Sequence, residues 1–181
     1  HIYETLFAFN LFTGEAEPLL AKEMQWPDPQ TVVITLQDGT KFSDGTPLTS
    51  ADVIYSFELP KRHDGIYYSD FWDYISSAEA TDERTITLKL NPERLNPGMV
   101  RHHLCEDYIL PKHIWEQREA SGEPLIEVID VDPVGSGPYK VLDASTERIA
   151  LVRDDNYWGA QAIGLPTPRY IIHPIFDSHD S

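Results

Sequence analysis

Residues 31–37 alternate with a period of two. Val32, Ile34 and Leu36 fall on one side, Thr31, Thr35 and Gln37 on the other. That is the signature of a half-buried β-strand. Asp38-Gly39 follows and reads as a two-residue hairpin turn, with Thr40 to Ser43 as the return strand. A second pair, Ile75 to Thr81 and Arg84 to Leu90, flanks a turn at Asp82-Glu83, with Ile86, Leu88 and Leu90 sharing a face before Asn91-Pro92 ends the strand. A third, Tyr139 to Leu142 and Ile149 to Arg153, is joined through Ala144-Ser145-Thr146. Arg169 to Ile172 reads as a last strand, and Pro174 suits a sheet edge. Near the start, Tyr3 to Phe9 forms a short buried strand or a strand-helix junction, and Thr13-Gly14 turns the chain. Pro18 to Trp26 reads as one helical turn followed by coil.

Helical periods fill the gaps. Asp44-Gly45 supplies a residue that tolerates positive φ, and Pro47 sets the exit from the turn. Thr49 then offers a side-chain oxygen to the first free amides of a helix, and Asp52 can reach back to close a capping box. Val53, Ile54 and Phe57 lie on one face, and Pro60 is expected to stop the helix. Tyr67, Phe71 and Tyr74 are spaced for one helical face, with Tyr68 and Trp72 as a neighbouring row. Pro97 to Leu104 is a short helix, and His113 to Ala120 another that ends near Gly122. Leu125 to Asp130 is ambiguous. The fold class is α/β: mixed short-strand sheets with flanking helices.

The 181 residues suffice for one substantial core. A hydrophobic content of 41% with 11% aromatic residues excludes a disordered chain. Fourteen basic against thirty acidic residues give a net charge of −16, which repels nucleic-acid phosphates and anionic lipid. No apolar run reaches membrane-spanning length. Cys105 stands alone, so no intrachain disulfide forms.

The chemistry-bearing residues are sparse. His102, His103, Cys105, Glu106 and His113 fit no strong zinc spacing. A serine hydrolase would need a G-x-S-x-G elbow, and Gly135-Ser136-Gly137 lacks its flanks and runs into Pro138. The same stretch lacks both phosphate-loop patterns. The carboxylate pairs Glu15/Glu17 and Asp154/Asp155 sit in turn-like stretches and read as solvated surface. The aromatic cluster 67–74 reads as core in preference to a sugar-stacking platform. These residues point to no metal and no cofactor.

Six words of the sequence carry a resemblance. They are YETLFAFN (3–10), EPLLAKEMQW (17–26), KFSDGTPLTSADVIYSFE (41–58), ILPKHIW (109–115), VGSGPYKV (134–141) and RDDNYWG (153–159). In this order the chain resembles the bacterial extracellular solute-binding proteins of the oligopeptide-binding type, from Tyr3 to about Tyr170. These are the ligand receptors of ABC importers for peptides, nickel chelates and some oligosaccharides. The start of the chain resembles the oligosaccharide binders somewhat more than the plain peptide binders. Family members are considerably longer, so the resemblance implies an N-terminal fragment with an incomplete first lobe.

The resemblance implies residues 1–12 and 133–181 in the first lobe and 13–132 in a small second lobe. It implies capture of a peptide or oligosaccharide, delivery to ABC permease subunits, no catalysis and a monomer. It places the protein in the periplasm or outside the cell and leaves a lipid anchor open. Asn10, Phe12, Ser136, Gly137 and Tyr139 would face the ligand cleft, because the chain should cross between lobes at those two places. An acidic hydrolase and an accessory interaction domain are the alternatives from other classes.

Overall fold

The computed structural model describes residues 1–63, 70–122 and 124–176. Its centre is a four-stranded antiparallel sheet, ordered β3-β4-β6-β5, built from Ala21–Asp28 (β3), Thr31–Leu36 (β4), Ile75–Asp82 (β5) and Thr85–Leu90 (β6). Val32 lies opposite Leu88 and Ile34 opposite Ile86, so the apolar faces read from the alternation coincide across the ladder. All four side chains are fully buried. They join one core with Leu6, Phe42, Val53, Phe57, Phe71 and Leu104 from the elements around the sheet.

Helix α1 (Ser50–Arg62) packs against β5 and β6. The short helix α2 (Phe71–Tyr74) places Phe71 on Phe57, ring centroids 4.4 Å apart. Helix α3 (Pro97–Glu106) lies against α2 and β1, and α4 (Lys112–Ser121) against α1. Gly122, at φ +76°, ends α4 in the left-handed region. A hairpin of β1 (Phe7–Phe9) and β2 (Ala16–Pro18) turns through Gly14. A separate antiparallel sheet, β7-β8-β9, comprises Tyr139–Ala144, Arg148–Arg153 and Tyr170–Pro174. Pro174 sits on its edge strand, where a missing donor costs no ladder bond.

Several sequence expectations need correction. Residues 18–26 are not a helical turn: they lead into the edge strand β3. Two bulges, between Ala21 and Glu23 and between Gln25 and Asp28, break the alternation that would have revealed it. Residues 40–43 do not return alongside β4, whose two flanks are taken by β3 and β6. They instead close a loop through a single bridge, Lys41 to Pro47, which drops Phe42 into the core. Pro60 does not stop α1, which runs on to Arg62. The last turn is held from outside, by Trp72 Nε1 donating to the Phe57 carbonyl (2.6 Å) and by Arg62 on Glu119 (2.8 Å). Phe71 is core as read, whereas Tyr67 and Tyr68 lie outside the described residues.

The start of α1 forms as read. Gly45 has φ +91°, and Thr49 and Asp52 close a capping box. Thr49→Ala is expected to cost about 1 kcal/mol in urea denaturation. Gly45→Val is expected to cost more, roughly 2 kcal/mol, because a β-branched residue is strained at positive φ even where space is open. Unchanged midpoints for both variants would show that this turn and cap have been misassigned.

Candidate functional site

Three passes of the chain meet at one crossing: residues 1–5, 135–139 and 154–158. Gly137 N–H donates to the Ile2 carbonyl (2.7 Å), and Tyr139 N–H donates to that of His1 (3.1 Å). This pairing brings backbone within touching distance of backbone. A Cβ on Gly135 would stand 2.1 Å from the Ile2 carbonyl oxygen, and one on Gly137 2.3 Å from that of His1. The Gly-Ser-Gly word is therefore a close-approach motif. Ser43 N–H donates to the Gly135 carbonyl (2.8 Å), which ties the 40–48 loop to the same place.

Glu4 is the chemical centre of the crossing. It is buried, and its carboxylate accepts from Tyr157 Oη (2.5 Å) and Trp158 Nε1 (3.0 Å). Trp158 Nε1 also reaches the Ser136 carbonyl at 3.0 Å. Burial pushes the Glu4 carboxyl up to about 7, against the opposing pull of these hydrogen bonds. The Tyr157 phenol is raised by burial and by the neighbouring carboxylate. Sequence reasoning does not single out Glu4. The available signal was one acidic residue inside the otherwise apolar run 3–9.

The five candidate residues divide in two. Ser136, Gly137 and Tyr139 come together at the crossing and are buried, with Tyr139 Oη donating to the Pro168 carbonyl (2.7 Å). Asn10 and Phe12 sit at the tip of the β1–β2 hairpin. Asn10 Oδ1 accepts from Phe12 N–H (2.8 Å), its Nδ2 donates to Glu17 (2.6 Å), and the Phe12 side chain is wholly exposed. A surface cavity of about 510 Å³ has Tyr3, Glu4, Phe9, Leu11, Tyr108 and Pro138 in its wall, and none of the five candidates lines it. Aromatic faces and polar tips line it together, a surface suited to non-covalent capture.

Four other carboxylates, those of Asp154, Asp155, Asp107 and Asp44, are engaged in pairs. Asp154 meets Lys140 at 2.8 Å and Asp155 meets Arg153 at 2.9 Å. His103 is buried against Asp107 (3.2 Å), and His113 pairs with Asp44 (2.8 Å). Among the described residues no three His, Cys, Asp or Glu side chains gather as a metal would require. His179 lies outside those residues.

A probable peptide-binding protein, YejA, of Agrobacterium fabrum is 32% identical over 171 residues, which cover 90% of this chain and 27% of that protein. An uncharacterized protein, y4wM, of Sinorhizobium fredii is 33% identical over 145 residues, 78% of this chain and 21% of that one. The chain thus spans about a quarter of the length of these curated relatives. Among solved structures, the mannohexaose-bound periplasmic oligopeptide-binding protein of Thermotoga maritima superposes with a TM-score of 0.87. The two share 34% identity, over 97% of this chain and 32% of that one. The fold is accordingly part of the α/β periplasmic-binding-protein architecture. The sequence model of the bacterial extracellular solute-binding proteins, family 5, middle region, matches residues 15–180. The chain belongs to the bacterial extracellular solute-binding proteins of family 5.

Proposed function

We propose that this chain is part of the substrate-binding component of an ABC importer for peptides or oligosaccharides, which captures its ligand without chemistry and delivers it to permease subunits. The observation that carries this reading is the backbone likeness, over 97% of the chain, to a Thermotoga maritima protein solved with mannohexaose bound. The peptide-binding relative in Agrobacterium fabrum supports the other ligand class. Carboxylates occupied by ion pairs or hydrogen bonds are consistent with a non-enzyme. The setting is periplasmic or extracellular, with or without a lipid anchor, and the working form a monomer. No described helix is long and apolar enough to cross a membrane.

In this reading residues 1–12 and 133–181 belong to the first lobe and 13–132 to the second. The lobes close over the ligand by hinge motion. Asn10 and Phe12 present the hairpin tip to the cleft, while Ser136, Gly137 and Tyr139 shape its wall at the crossing.

Calorimetry tests the proposal. A full-length protein carrying this chain is expected to bind mannohexaose, cello- or xylo-oligosaccharides, or mixed short peptides at micromolar affinity or tighter. The 181-residue chain alone is expected to bind at least 100-fold more weakly. A half-covered ligand leaves its polar groups wet, and each hydrogen bond then returns only about 1 kcal/mol net. Micromolar binding by the 181-residue chain would place the whole site within it and overturn the lobe division. No binding of either class by the full-length protein would overturn the function.

A further inference from the structure

We propose, on the reading of the chain as part of a substrate-binding component, that the surface cavity walled by Tyr3, Phe9, Leu11, Glu106 and Tyr108 is a subsite for neutral sugar rings, and that Phe9 and Tyr108 select an oligosaccharide against a peptide. The cavity measures about 510 Å³, within the range of small-ligand sites. Its wall combines the first segment of the chain, the end of β1 with the hairpin beyond it, and the end of α3. Large apolar side chains are left in water there. Leu11 is 86% exposed, Phe9 52% and Tyr108 50%. Each forgoes the free energy of burial, and grouped at a concave wall they form a surface that a ligand can cover.

Two observations disfavour a peptide at this wall. The first is charge. Among the described residues that line the cavity there is no lysine and no arginine, while Glu4 and Glu106 both stand in it. A peptide's terminal carboxylate meets like charge there and finds no guanidinium or ammonium to pair with. The second is the backbone. A peptide added as a strand needs an edge with free carbonyls. Along the first segment those of His1, Ile2, Glu4, Thr5 and Leu6 already accept, from the amides of Tyr139, Gly137, Ile109, Leu20 and Ala21.

A sugar ring needs neither a cation nor a strand edge. Its C–H faces are apolar and pack on aromatic rings, while its hydroxyls project from the rim. Each hydroxyl can donate to a carboxylate. The Glu4 carboxylate is taken by Tyr157 and Trp158, whereas Glu106 is exposed and within the wall. Glu106 is therefore the acceptor assigned to ligand hydroxyls. The sugar is neutral, because a chain of net charge −16 repels an acidic one.

Calorimetry on the full-length protein carrying this chain tests the subsite, with mannohexaose, cello- and xylo-oligosaccharides and mixed short peptides as probes. At least one of the sugars is expected to bind about 100-fold more tightly than the peptides. Phe9→Ala and Tyr108→Ala are each expected to weaken that sugar about 10-fold, the effect of one lost stacking contact. Tyr108→Phe keeps the ring and should stay within about 3-fold of wild type, while Tyr108→Leu keeps apolar bulk without a flat face and should fall with Tyr108→Ala. Glu106→Gln should weaken the sugar by about 3-fold or more, since a neutral acceptor holds a hydroxyl less strongly. Sugar binding unchanged in both alanine variants overturns the subsite. Should Phe9→Ala fail to fold, equal sugar affinity in Tyr108→Leu and Tyr108→Phe overturns it. Peptides bound as tightly as any of the sugars overturn the sugar assignment and leave the substrate-binding reading standing. Binding of neither class removes both.

Discussion

Gly137→Ala is expected to destabilise the protein by about 3 kcal/mol or more, the range of overpacking without room to relax. The new methyl carbon would stand 2.3 Å from the His1 carbonyl oxygen and 2.8 Å from that of Ile2. Both obstacles are backbone, so no rotamer change relieves the contact. The segment 1–5 would have to move, and with it go the bonds from Gly137 N–H to Ile2 and from Tyr139 N–H to His1. Gly135→Ala should behave alike, its Cβ meeting the Ile2 carbonyl oxygen at 2.1 Å. Gly14→Ala is the control. That glycine has φ +73° and open space around it, so only the left-handed backbone penalty of about 1 kcal/mol applies. Urea denaturation of the three variants checks the ranking. A Gly137→Ala variant within 1 kcal/mol of wild type would mean that residues 1–2 do not lie against the 135–139 segment.

The same glycines show what a sequence does and does not disclose. Gly135-Ser136-Gly137 could be read as a Gly-Pro turn or as a place of close approach. Only the partner segment, residues 1–2 and more than 130 residues away, decides. Local signals were legible wherever one element contains its own cause. The alternation of Val32, Ile34 and Leu36 gave β4 its core face, and the Thr49/Asp52 spacing gave α1 its cap. Elements that depend on a neighbour were not. Strand β3 is an edge strand with two bulges, so its own pattern carries no clean period. Helix α1 outlasts Pro60 because Trp72 and Glu119, from other elements, hold its last turn. Glu4 was illegible for the same reason: its partners Tyr157 and Trp158 come from the far end of the chain. The words YETLFAFN, VGSGPYKV and RDDNYWG each contribute residues to the place where the three passes meet. Which side chains face inward there is set by packing that no single word contains.

Asp52 shows how one capping residue can serve two helices, and it supports the second large prediction. Its Oδ2 accepts from Thr49 N–H (2.8 Å) and from the Thr49 hydroxyl (3.0 Å), at the start of α1. Its Oδ1 accepts from Lys112 N–H (3.0 Å), the first residue of α4. One turn along, Ser56 Oγ accepts from Leu110 N–H at 2.8 Å. Two side chains of α1 thus satisfy two backbone donors of the segment that opens α4, where the N-cap, Pro111, has no side-chain acceptor to offer. Asp52→Ala leaves the Thr49 and Lys112 amides without partners in a part-buried setting. At about 1–3 kcal/mol for each orphaned donor, the expected loss is about 3 kcal/mol. That is well above the 1 kcal/mol expected of Thr49→Ala, which removes a cap from one helix only. Asp52→Asn should fall between them, since the amide keeps one acceptor oxygen and turns a donor toward the other site. Urea denaturation ranks the three, and hydrogen exchange at Lys112 separates local from global loss. The local opening of α4 should rise most in Asp52→Ala and hardly at all in Thr49→Ala. Equal losses in those two variants would show that Asp52 caps α1 alone, and that α4 is held in place by Ser56 and its apolar contacts.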